Sequence, residues 1–358
     1  RAGYPYVSYT LSAISFIMLI AVPILTMRSM AEERHSRTDQ LVLTAPVSLG
    51  KMIFGKFLAM VGVFTVAVAV IAVTPLVLAA FGTVPMGENY VAVLGFWLYG
   101  CTCIAVGMLA SALTESQVIA AVVAFAFLFL GYMMNSITGL IGDHLITKVL
   151  GAYDLYTPLQ SFMSGCLDLT GVVYFVSVTA LCLFLTCQCV QKRRWSMTTK
   201  KLTTGMFSVA MIVVGFAVAV AVNMVVKEMP SSWTAVDATS TKLYSLTDTT
   251  KDYVKNLSQD VTIYVLSSEK SADSTLAETL QRYEDLSKHL NVVYKDPAKS
   301  PNFYQQYTDS APSQNSMIVV SDARSRVVDY SDIYEYSYDY STYSSSVDGY
   351  DAEGQLTS

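Results

Sequence analysis

Long apolar runs dominate the first two thirds of the chain, and short alternating elements replace them afterwards. The runs cover residues 8–27, 57–80, 90–113, 118–140, 171–190 and 207–226, and none carries a charged residue near its middle. Each is close to the roughly 20 helical residues that a bilayer core requires. Buried helices of a soluble protein would not repeat uncharged stretches of this length, so the pattern predicts about six transmembrane helices. Past Lys227 the chain turns polar and acidic, rich in Ser, Thr, Asp and Tyr. Residues 261–266 read as a buried strand. Residues 275–290 read as an amphipathic helix, with Leu276, Leu280, Tyr283, Leu286 and Leu290 on one face. Residues 291–294 form a second predicted strand, and 316–320 with 326–328 a strand pair around 322–325. Strand, helix, strand and a later hairpin predict an α/β layer fold. The tail, with Tyr330, Tyr334, Tyr336, Tyr338, Tyr340, Tyr343 and Tyr350 among Ser and Asp, reads as a solvated loop; rings among polar groups could also bind glycan or peptide.

Charge sets the orientation. The 28–56 connection holds Arg28, Arg34, Arg37, Lys51 and Lys56, and the 191–206 connection holds Lys192, Arg193, Arg194, Lys200 and Lys201. The connections at 81–89 and 141–170 hold a single basic residue, Lys148. With six spans the two basic loops share a side, which is the cytoplasmic one. The fold class is therefore a mainly α-helical polytopic protein of the cytoplasmic membrane, followed by an extracytoplasmic α/β domain. Residues 114–117 are short enough to make the third and fourth spans a tight antiparallel hairpin.

Composition agrees: 53% of the 358 residues are hydrophobic and 14% charged, against about 25% charged in soluble domains. A net charge of −5 and the lack of a basic stripe argue against nucleic acid. Five of the six cysteines lie in apolar runs and none follows Cys189, so the polar part has no disulfide or cysteine-based metal site. His35 and His144 stand apart from other ligand types. Residues 50–56 fit a phosphate-binding loop as far as Lys56, but Phe57 follows where a Ser or Thr must hold magnesium. ATP and magnesium are thus expected in a partner, with no cofactor in this chain. Without a charged residue mid-span, proton coupling has no evident carrier. Glu115 and Asp143, at span ends, read as solvated loop charges. Residues 131–139 are polar enough to line a path or to pack helices. No nucleophile–base or metal constellation appears, so an enzyme is not indicated. The start at Arg1 and the stop after Leu356-Thr357-Ser358 are those expected of a fragment at both ends.

The segment from Met30 to Ser48 is charged in its first half and apolar in its second, and it ends by a proline that cannot continue a helix. It predicts a short amphipathic helix at the membrane surface. Its residues Glu32-Glu33-Arg34, Thr38, Leu41-Val42-Leu43-Thr44 and Pro46-Val47 resemble the coupling-helix region of ABC-2 type transporter permeases. Further likeness lies in Gly55-Lys56-Phe57, in Tyr156-Thr157-Pro158-Leu159, Ser161-Phe162, Gly165 and Leu167-Asp168-Leu169, and in Lys192-Arg193-Arg194-Trp195. The second block resembles the gliding-motility type of these permeases. Arg37 and Gln40 depart from residues common in the family. The resemblance implies a six-span permease whose first span precedes Arg1, a dimer of permease subunits, and a separate ABC ATPase docked on the 28–56 loop. It implies that Glu32, Glu33, Arg34, Thr38, Leu41, Leu43, Thr44 and Pro46 form the coupling loop.

Residues 240–247, 261–265 and 292–297 resemble the auxiliary subunit that accompanies gliding-motility-type permeases, which has one span and an external α/β domain. The implied organisation is a five-span permease domain at 1–200, an anchor span at 201–230 and a truncated external domain at 231–358. The expected function is ATP-driven movement of an unidentified substrate across the membrane. The alternative is an interaction protein whose external domain grips cell-envelope material or a surface machine.

Overall fold

The computed structural model describes residues 7–36, 48–82, 84–141, 151–194, 201–227, 229, 234–237, 246–257, 259–268, 272–308, 310–321, 324–339 and 344–357. The chain forms two compact units, Arg1–Met229 with Thr234–Ala238, and Pro230–Trp233 with Thr239–Ser358.

In the first unit, α1 (Val7–Thr26) and α2 (Arg28–His35) are separated by one residue, Met27. They are followed by α3 (Leu49–Ala79), α4 (Met86–Leu113) and α5 (Gln117–Ile141). A 3-10 turn at Gly151–Tyr153, a short helix α6 (Tyr156–Met163) and a strand β1 (Cys166–Asp168) precede α7 (Leu169–Arg194) and α8 (Lys201–Lys227). Among the described residues, five stretches are long and apolar enough to cross a membrane: Val7–His35, Leu49–Ala79, Met86–Leu113, Gln117–Thr138 and Leu169–Gln191. The remaining expected run, 207–226, lies within α8, whose described apolar stretch is Ala210–Val226.

The helix α4 is the axis of this unit. Its most apolar window is 78% buried, against 22–39% for the other four. Small residues let it take neighbours on several sides. A Cβ on Gly95 would stand 2.3 Å from Phe162 of α6, on Gly100 2.2 Å from the Phe64 ring of α3, and on Gly107 2.2 Å from Thr26 of α1. Where lipid tails are as apolar as the side chains, close approach at small residues is the available source of helix attraction. Polar groups inside the bundle pair between helices. The Thr102 hydroxyl of α4 lies 3.0 Å from that of Thr179 and 3.2 Å from the Phe175 carbonyl of α7. Trp97 of α4 donates to Thr65 of α3 at 2.8 Å.

Directions alternate as the short connections require. Val7 meets Asn89 and Thr26 meets Gly107, so α1 and α4 run parallel. The helix α8 runs antiparallel to α7. Asn223 near its end donates to Ser177 at 2.7 Å, and Gly215 sits against Phe184 and Leu181. The chain then forms β2 (Ala235–Asp237), antiparallel to β1. The expected 114–117 hairpin is present: α4 ends at Leu113 and α5 begins at Gln117.

The second unit contains a four-stranded sheet in the order β4–β3–β5–β6, built from β3 (Val261–Val265), β4 (Leu290–Tyr294), β5 (Met317–Ser321) and β6 (Ser325–Val328). A short helix α9 (Asp248–Lys255) precedes β3, and α10 (Ser274–Leu286) connects the parallel pair β3 and β4. The other two pairings are antiparallel. The expected helix face is real over Leu276, Leu280 and Tyr283, which are buried with Ile263 and Val265. It ends earlier than periodicity implies. Leu290 opens β4 rather than closing the helix, because the chain must reverse over Ser287–His289 to lie parallel to β3. His289, expected on the helix, sits in that reversal with Nδ1 2.7 Å from Asp260.

The tyrosine-rich tail departs most from expectation. Instead of a solvated loop it contains a hairpin, β7 (Tyr334–Asp339) with β8 (Ser344–Tyr350), and a terminal helix α11 (Ala352–Thr357). Tyr330 and Tyr334 donate to the two oxygens of Asp273, at 3.2 and 3.0 Å, and the Tyr350 hydroxyl lies 3.1 Å from that of Thr279. Asp273 also accepts from the Leu276 amide at 2.9 Å as the N-cap of α10. Burial and this carboxylate push the Tyr334 hydroxyl well above its ordinary range, so it remains a donor at physiological pH.

Candidate functional site

The helix α2 is short, yet α3, α4 and the connection after α4 all hold it. Met30 and Ala31 are buried. Its first amides are the unsatisfied donors that any helix N-terminus leaves. Met27, at the cap position, contributes no side-chain hydrogen bond. The fully buried Ser111 of α4 takes that role: its hydroxyl accepts from Met30 N at 3.1 Å and Ala31 N at 3.0 Å, and donates to the Met27 carbonyl at 3.0 Å. A side chain entering the backbone ladder is one of the known causes of a break between helical segments. Here it falls where α1 hands over to α2.

The same helix α4 caps α1 at its other end, where the buried Asn89 accepts from Val7 N at 2.8 Å. Asn89 and Ser111 are about 33 Å apart along α4 at ~1.5 Å per residue, comparable with a bilayer core of about 30 Å. A single central helix thus satisfies amides near both ends of its parallel neighbour.

Two ion pairs tie down the charged face of α2. Lys56 at the start of α3 pairs with Glu33 and donates to the Ser29 carbonyl at 3.0 Å. Arg34 meets Glu115 at 2.8 Å and also reaches the Leu113 carbonyl at 3.5 Å. Glu32 remains exposed, as does His35. Of the eight coupling residues expected, the structure therefore places Glu32, Glu33 and Arg34 on α2, engages the last two within the chain and turns Glu32 outward. Thr38, Leu41, Leu43, Thr44 and Pro46 lie outside the described residues, as does His144. Glu115, expected as a solvated loop charge, is 63% exposed but serves as the partner of Arg34.

Sequence reasoning missed Ser111 because one Ser in an apolar run has no periodic signature. It counted Lys56 as a charge for orientation, as part of the family likeness and as the lysine of a phosphate-loop match, and in none of these as a partner of α2. The two acids and two bases Glu33, Arg34, Lys56 and Glu115, all near span ends, were the available signal.

The resemblance to a phosphate-binding loop at 50–56 dissolves in three dimensions. Gly50, Gly55 and Lys56 lie in the continuous helix α3, so no loop is present there to wrap a phosphate, and Lys56 turns to Glu33. Among the described residues, no group of three or more His, Cys, Asp and Glu side chains gathers where a metal could bind.

At the opposite end of α4, α6 sets Phe162 into a slot whose walls are Gly95 and Gly171. The carbonyl of Gly131 in α5 accepts from Leu155 N at 3.1 Å. In the 131–139 stretch Met134 and Thr138 are buried.

Residues 240–333 match a domain of unknown function, DUF7088. No curated protein and no solved structure matches the chain. Residues 4–190, more than half of the chain and all of α1 to nearly the end of α7, match the ABC-2 family transporter proteins. With five bilayer-length helices gathered on α4, the chain belongs to the ABC-2 family of transporter proteins.

Proposed function

We propose that the chain, a multi-pass membrane component of its transporter family, is the permease subunit of an ABC transporter of the gliding-motility type, powered by a separate ATPase that docks on α2 and the loop following it. The observation that carries this reading is the mounting of α2. Its apolar side is buried, its ends are fixed to α3 and α4, and Glu32 faces outward. A surface helix held this firmly by membrane-spanning elements suits the transmission of a partner's movement into the bundle.

The excess of Lys and Arg in the loops at 28–56 and 191–206 supports a cytoplasmic position for α2 in the plasma membrane. In this reading α8 is a sixth span, and its antiparallel packing on α7 supports that assignment. Pairing of β2 with β1, beyond the ends of α8 and α6, supports an exit of the chain on the extracytoplasmic side. The permease acts as a dimer, moves its substrate outward, and carries the DUF7088-like unit as a fused auxiliary domain.

The test is association. A Glu32→Arg variant, which leaves both ion pairs of α2 in place, is expected to lose a co-purifying ATP-hydrolysing subunit that wild type retains. Equal recovery of that subunit and equal nucleotide-driven transport in both would overturn the docking role.

A further inference from the structure

We propose that Ser111 is a positioning residue that transmits the displacement of α2 to α4. The inference rests on the ATPase-docking role of α2 and goes beyond it, because it names the atom through which the movement enters the bundle. Three hydrogen bonds of 3.0–3.1 Å converge on one buried hydroxyl, and they address both sides of the α1–α2 junction: the Met27 carbonyl on one side, the Met30 and Ala31 amides on the other. Neither contact of Glu33 or Arg34 has this character. The ion pair of Lys56 leads to α3, while Arg34 reaches only the terminal carbonyl of α4 and the exposed Glu115. The Arg34–Glu115 pair, with Glu115 exposed, is screened and weak, whereas a buried hydroxyl with donors and acceptor all satisfied holds one geometry.

The destination of the movement matters as much as its entry. The helix α4 is the most buried of the five long helices, and it touches α1, α3, α5, α6 and α7. Its Gly95 lies against Phe162, so a shift of α4 along its axis reaches α6 at the far end of the bundle. Interlocked packing of this kind moves between discrete arrangements rather than deforming smoothly. Ser111 is therefore the junction between an element that a partner can push and the helix that every neighbour follows.

The experiment compares wild type, Ser111→Ala and Ser111→Thr, each as the full chain with its ATPase in lipid nanodiscs. Backbone hydrogen exchange is read with and without ATP–vanadate trapping, in residues 28–36 and in residues 84–90 at the far end of α4. Wild type is expected to change in both segments. Ser111→Ala is expected to keep the ATPase and the change at 28–36, to lose the change at 84–90, and to hydrolyse ATP without transport. Restoration by the hydroxyl of Ser111→Thr would separate transmission from packing; Ser111→Cys, of similar size but a poor hydrogen-bonding group, replaces the alanine variant should that fail to assemble. Retention of the 84–90 change without the hydroxyl would overturn the proposal, as would its absence in wild type that holds the ATPase. Failure of wild type to bind any ATPase would instead strike the docking role beneath it.

Discussion

Asp329 collects five donors: Ser313 N and Oγ at 3.0 and 2.7 Å, Ser316 Oγ at 3.2 Å, and Ser331 N and Oγ at 3.0 and 2.8 Å. Burial alone would raise its pKa. The hydrogen bonds from Ser331 and Ser313 outweigh burial and hold the carboxyl well below the ordinary carboxylate range. A depressed folded-state pKa means that this stabilisation is complete above the unfolded value near ~3.9 and is lost progressively as pH falls from there through the folded value. Hydrogen exchange of residues 313–333, corrected for intrinsic rates, is expected to lose protection gradually below about pH 5, with the loss complete only below the folded value. Asp329→Asn is expected to exchange faster at neutral pH and to lose most of that pH dependence. Little of this network was legible in the sequence, since Ser and Asp at 313, 316, 329 and 331 look like any polar turn. The same is true of Asp273, whose tyrosine partners come from the distant tail. Leu276, Leu280 and Tyr283 were legible because helical period and burial coincide there.

At the scale of elements, existence was readable and detail was not. Apolar run length alone located α1, α3, α4, α5 and α7, but it left unknown which helix stands at the centre. That choice is made by Gly95, Gly100 and Gly107, three absent side chains that an apolar run does not distinguish from lipid-facing positions. At Gly100 a Cβ would stand 2.2 Å from two ring atoms of Phe64, itself buried against Phe96. Gly100→Val is expected to destabilise the bundle by about 1–3 kcal/mol, the usual cost of overpacking. It should appear as a lower unfolding midpoint in detergent, with Phe64→Ala partly restoring the double variant. Equal midpoints for Gly100→Val and wild type would remove α4 from the centre of the account. Likewise the Tyr-x-Tyr-x-Tyr spacing at Tyr334, Tyr336 and Tyr338 carries a strand period. Its polar neighbours outweighed that period in the sequence reading, and the structure sides with the period.

For the whole molecule, two compact units answer to two solvents. The first is apolar and helical, and the second has a mixed sheet with its own core. What composition could not announce is where chemistry meets mechanics. The chain provides no phosphate-cradling loop at 50–56, because those residues are helix, and the buried hydroxyl of Ser111 fastens α2 to the central helix. The central claim is that this handle takes the force of a separate ATPase. A photoreactive amino acid placed at Glu32 in the full chain, in native membranes, tests it most directly. The account predicts a crosslinked product whose partner peptide belongs to a chain with a complete phosphate-binding loop, with no such product from the apolar-face position Val66. Crosslinking to lipid alone, or to the same partner equally from Val66, would contradict it.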